Sequence, residues 1–200
     1  MRASVVTVGR GSRTSRRLPA SGNAALAASA LIQAALGIEF LLSALNKFAD
    51  PNFIVNFRAF VRASPASGRG PLSPFIQSLV LPHLAFFAGL IKLTELGLGI
   101  VLLIGAIEIA RRRFQGPLAR QYGYEGPVAL VAALAGLVAA GLSFSIFLLN
   151  GGVLPTIMPG RAFTSAIPVE LLIVPLGLAI AWLEANRFIV LRRPLTRDDR

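Results

Sequence analysis

Nine acidic side chains, one histidine and no cysteine are what the 200 residues offer for acid–base or ligand chemistry, and the informative ones lie inside apolar stretches. Glu39 is followed by Ser43 and Asn46 at helical spacing, a polar stripe along one helix face. Lys92 and Glu95 stand three apart, and Ala88 and Gly99 extend the same face with small residues that admit a neighbouring helix. Glu170 lies inside a further apolar stretch, while Lys47 and His83 sit at the ends of two others. A charge in hydrocarbon costs ~2.5–3.5 kcal/mol on insertion scales, so each needs a partner or a task.

Two readings follow. In the first, a Lys92–Glu95 ion pair flanked by Glu39 fixes helix register. In the second, Glu39, Glu95 and Glu170 outnumber Lys92, and the surplus negative charge asks for a proton or a ligand. Counted inward at 1.5 Å per residue, Glu39, Lys92, Glu95 and Glu170 all lie ~10–21 Å deep, in the same half of one bundle. The second reading is therefore a pocket that conducts protons or contacts a quinone, with Lys47 and His83 above it. The missing cysteines exclude disulfides, thiolate zinc sites and iron–sulfur clusters, and a single histidine cannot ligate a bis-histidine haem. Any electron carrier is then organic or sits on a partner; no metal site is expected.

The elements that must hold these residues are membrane-spanning. The chain is 54% hydrophobic and 14% charged with a mean hydropathy of +0.69, whereas soluble domains carry about 25% charged residues. Apolar blocks at 24–48, 79–110, 128–149 and 163–183 are each long enough to cross a bilayer. They predict an all-α, polytopic four-helix membrane bundle over 24–185, with a basic arm (1–23) and a basic tail (186–200). Asp50-Pro51 ends the first helix. In the loop that follows, Phe53, Ile54, Phe57, Phe60 and Val61 predict a short amphipathic helix at the membrane surface. Ala132, Gly136 and Ala140 form a small-residue stripe, a helix-packing face.

Cations set the orientation. Arg2, Arg10, Arg13, Arg16 and Arg17 lie in the arm, Arg111, Arg112, Arg113 and Arg120 in the central connector, and Arg187, Arg192, Arg193, Arg197 and Arg200 in the tail. The other loops hold fewer: Lys47, Arg58, Arg62 and Arg69 in the first, Arg161 in the third. Both termini are expected in the cytoplasm. The net charge of +11 then reflects topology and attraction to anionic lipid, with no call for nucleic acid.

The run Gly37-Ile38-Glu39-Phe40-Leu41-Leu42-Ser43-Ala44-Leu45-Asn46-Lys47-Phe48 resembles the first helix of the DoxX/DoxD family of small four-helix membrane proteins, where G-x-x-F-x-x-(S/A)-G-x-x-K-(F/L) precedes an outer loop. Ala44 replaces the family's usual glycine. Thr94-Glu95-Leu96-Gly97-Leu98-Gly99 with Leu102-Leu103-Ile104-Gly105 is similar to the family's second helix. The resemblance implies an inner-membrane subunit of a quinone-linked redox complex, of which thiosulfate:quinone oxidoreductase is one kind, and makes Glu39, Lys47 and Glu95 the first positions to test. The expected assignment has Glu39, Lys92 and Glu95 as catalytic groups, His83, Lys47, Asn46 and Glu170 against the quinone, and Arg58, Arg62 and Arg69 drawing an anionic substrate. The partner is a second redox polypeptide or larger complex, without which the chain is inactive. A non-catalytic accessory subunit and a small proton-linked transporter are the alternatives.

Overall fold

The computed structural model describes residues 20–68, 71–111, 125–152 and 167–192. These residues are all-α. In chain order they form α1 (Ala20–Ala49), α2 (Phe53–Ala63), α3 (Pro65–Gly68), α4 (Ser73–Phe75) continued by a π-helical turn (Ile76–Val80), α5 (Leu84–Arg111), α6 (Glu125–Leu149) and α7 (Val169–Arg192). The four long helices are apolar and long enough to cross a membrane. Their outward faces carry Leu31, Leu42, Phe86, Leu93, Ile107, Leu134 and Trp182, all exposed, as suits helices whose solvent is lipid.

Contacts between helices fix the bundle. Lys47 meets Glu95, and a Cβ added to Gly99 or Gly37 would strike Leu41 or Leu103, so α1 and α5 are antiparallel. Gly136 and Gly177 touch across α6 and α7, where an added Cβ on either would come within 2.6 Å of the other's carbonyl oxygen. That approach is possible only without side chains, and it explains the small-residue stripe: Gly136 and Ala140 face α7, while Ala132 faces α5 near Gly105. The core along the axis is Leu36, Phe40, Leu98, Leu102, Ala135, Ala139, Ile173 and Ile180.

The segment between α1 and α5 caps one end of the bundle, here the loop end. Asp50 shapes its entry, its carboxylate accepting from the Asn52 backbone N–H (2.8 Å) and the Asn56 side-chain amide (2.9 Å). The apolar face of α2 does not rest only on lipid: Phe57 and Val61 are buried against Ile76, Leu84 and Ala88, whereas Ile54 and Val55 stay exposed. Ser64 donates to the Leu149 carbonyl and ties the cap to the end of α6. There α6 stops at Gly151 (φ 96°) and Gly152 (φ 62°), left-handed residues whose N–H groups bond the Leu148 and Phe147 carbonyls.

Two boundaries differ from expectation. The second span starts at Leu84 rather than residue 79, since Pro82 lacks the N–H that a continuous ladder requires. The fourth helix is Val169–Arg192 rather than 163–183: Ile167 and Pro168 precede it, and it runs on because Glu184 and Arg187 are buried together.

Candidate functional site

Side chains on a helix lean toward its N-terminus. Lys47, near the end of α1, therefore leans back into the bundle, and Glu95 on antiparallel α5 leans toward the loop end to meet it. The Lys47 ammonium donates to Glu95 Oε2 at 2.7 Å, Glu95 Oε1 at 2.9 Å and Ser43 Oγ at 2.6 Å. Glu95 retains 3% of its exposure and Lys47 25%. The same lean corrects the expected Lys92–Glu95 pair. Lys92, nearly one turn nearer the loop end, leans away from Glu95 and lies over the rings of Phe53 (4.7 Å) and Phe48 (5.3 Å).

Lys47 and Glu95 stand on the wall of a cavity of about 580 Å³ at the loop end. All four long helices and α2 line it: Glu39, Phe40 and Ser43 from α1, Ile91 from α5, Ser143 and Ile146 from α6, Val169, Glu170 and Ile173 from α7, and the phenyl rings of Phe53, Phe57 and Phe60 beneath the cap. Its walls are mainly apolar, and its size is that of a small-molecule site. Glu39 is exposed at its edge, and Glu170 receives a hydrogen bond from Asn150 (3.3 Å).

The structure thus brings Glu39, Lys47, Glu95 and Glu170 to one cavity and leaves Lys92 outside its lining. Asn46 is exposed on α1 away from the cavity, His83 is exposed in the turn before α5, and Arg58 and Arg62 are exposed on α2. Arg69 lies outside the described residues.

A second buried polar group went unread in the sequence. Toward the opposite end, fully buried Glu184 accepts from Ser29 (2.6 Å), Gln33 (3.0 Å) and Arg187 (3.0 Å), joining α1 to α7. A Cβ on Gly105 would fall 2.0 Å from Gln33 Oε1, so this glycine on α5 makes the room the amide needs. Gln33 Oε1 and Arg187 Nε and Nη2 are buried without a hydrogen-bond partner. Glu108 and Arg111, three apart on α5, also pair, at 2.9 Å. The sequence signal was present: Ser29 and Gln33 are four apart, Glu184 and Arg187 three apart, each on one helix face.

The two polar centres are separated by the apolar core layer, in which Leu102 and Ile180 are fully buried. No family model, curated protein or solved structure matches the chain.

Proposed function

We propose that the chain is a DoxX/DoxD-like integral membrane subunit of a quinone-linked redox complex, of the thiosulfate:quinone oxidoreductase kind, and that its loop-end cavity receives the quinone head. The observation that carries this reading is a mainly apolar cavity of about 580 Å³ whose wall carries the bonded cluster Ser43–Lys47–Glu95. The donor set fits. Ser43 accepts from Lys47, so its own O–H is left to donate, and buried Ser143 presents a second hydroxyl from α6. The two hydroxyls suit the carbonyl oxygens of a quinone and phenyl walls suit its ring, while the Lys47 ammonium, its three N–H groups taken by Ser43 and Glu95, holds the Ser43 oxygen in place. A quinone bound there would supply a two-electron acceptor. The chain's own residues bind and orient it, while the layer from Leu36 to Ile180 keeps water from crossing the bundle.

Electrons come, in this reading, from a second polypeptide. Arg58 and Arg62, exposed on α2, attract an anionic donor or an acidic partner surface; Arg69 belongs to the same loop. The chain sits in the inner membrane with both termini in the cytoplasm. The test is gentle-detergent purification of the tagged chain from its native membrane, followed by quinone extraction and identification of co-purifying polypeptides. Quinone well above the lipid background, reduced in the Lys47→Met variant, together with a redox polypeptide released by raised salt, is the expected result. Background quinone in both forms would refute it.

A further inference from the structure

The way into the cavity can be read from those lining residues that are also exposed. They are Glu39 on α1, Val169 (55% exposed) on α7, and Asn56 and Phe60 on α2. Deeper in, Phe40 and Ile173 are buried. The mouth therefore lies along the seam between α1 and α7, beneath α2. That seam is closed toward the other end by the bonds from Ser29 and Gln33 to Glu184. Beyond Glu39 and Asn56 at its rim, the neighbouring surface is apolar, with Ile38, Leu42 and Leu172 each about half exposed. Glu39 lies roughly 15 Å along α1 from the helix end, at 1.5 Å per residue, a depth that belongs to the bilayer.

We infer that the cavity is entered sideways from the bilayer through the α1–α7 seam, and that its ligand is a headed amphiphile whose apolar tail leaves through that mouth past Val169. The identity of the head rests on the quinone reading above; the route of the tail rests on the exposed lining residues. The mouth is a specificity device in this account. A tail that continues into lipid need not fit the closed volume, and a ligand without one loses the contacts made with Val169 and Phe60 on the way out.

The experiment uses the full chain in lipid nanodiscs and two probes, a decyl-tailed benzoquinone and its tail-less tetramethyl counterpart. Val169→Trp fills the mouth, and Ile38→Trp adds the same bulk on the neighbouring apolar surface outside it. Blocking several buried methylenes should weaken the tailed quinone by about tenfold or more in Val169→Trp, with the tail-less quinone changed by less than about threefold. Ile38→Trp should bind both like wild type. Because the chain has no cysteine, Val169→Cys provides a second readout in a protein of nearly native volume. Alkylation of its introduced thiol by a bilayer-soluble maleimide should be slowed by the tailed quinone and not by the tail-less one. Unchanged tailed-quinone affinity in Val169→Trp, equal loss of both probes, or a Val169→Cys thiol that the tailed quinone leaves unprotected would each overturn the lateral mouth while leaving the quinone reading standing. Wild type binding neither probe would overturn the quinone reading, and the inference with it.

Discussion

Glu95, with 3% of its surface exposed, has Lys47 as the one cation bonded to it among the described residues, whereas Lys47 keeps a quarter of its own exposure. The two halves of the pair are therefore unequal. Lys47→Met strands a buried carboxylate and should cost about 3–5 kcal/mol. Glu95→Gln should cost less, since the flexible stem lets the ammonium turn toward the interface. The double variant should recover part of the Lys47→Met loss, measured by thermal unfolding in a mild detergent. Strict additivity would sink the pair. Lys92→Met removes only its ring contacts, about 0.5–2 kcal/mol. It should couple to Phe53→Leu and add independently to Glu95→Gln. The sequence placed Glu39, Lys92, Glu95 and Glu170 at similar depth, with Lys47 above them, because depth is counted from helix ends. It paired Glu95 with Lys92, three residues away, whereas the structure pairs it with Lys47. Spacing says which residues share a face; the choice depends on which way each side chain leans, and so on which helix runs antiparallel to which.

Helix contacts set what each element tolerates. Gly136→Ala and Gly177→Ala each place a Cβ within 2.6 Å of a backbone carbonyl on the facing helix, which cannot yield as a flexible side chain would. Each should destabilise by about 1–3 kcal/mol, the usual cost of overpacking. Gly141→Ala, with nothing within 4 Å of its added Cβ, is the matched control on the same helix and should be neutral or slightly stabilising. Equal melting temperatures for Gly136→Ala and Gly141→Ala would contradict the close approach. The Ala132, Gly136 and Ala140 stripe was legible as a packing face, but not that it serves two neighbours. The ends of α7 were less legible. Hydropathy falls at Glu184 and Arg187, so a window of apolar residues stops before them. In the structure they are internal, bonded to each other and, through Glu184, to α1. A charge satisfied by a helix remote in sequence looks, in one dimension, like the end of a span.

On the scale of the whole molecule, four spans were legible because each is a predominantly apolar run long enough to cross a bilayer, and the direction proposed for their crossing follows from charge alone. Arg111 and Arg192 close α5 and α7 at the end opposite the cap, and the cation-rich arm, connector and tail all attach at that end. Each Arg near an anionic leaflet contributes about 1 kcal/mol, so the many Arg of that end outweigh the few at the loop end. The cap, with Arg58 and Arg62, should then face outward, and the cavity should open in the outer leaflet where a donor outside the cell can be met. The absence of native cysteine makes the test clean. Single cysteines introduced at exposed Ser78 and Asn150 should react with a membrane-impermeant maleimide added to intact cells, and one introduced at Gln115 only after the membrane is opened. Labelling of Gln115→Cys in intact cells would reverse the bundle. The Ser43–Lys47–Glu95 wall would then sit in the inner leaflet, and an outer anionic donor would be ruled out even if quinone still bound.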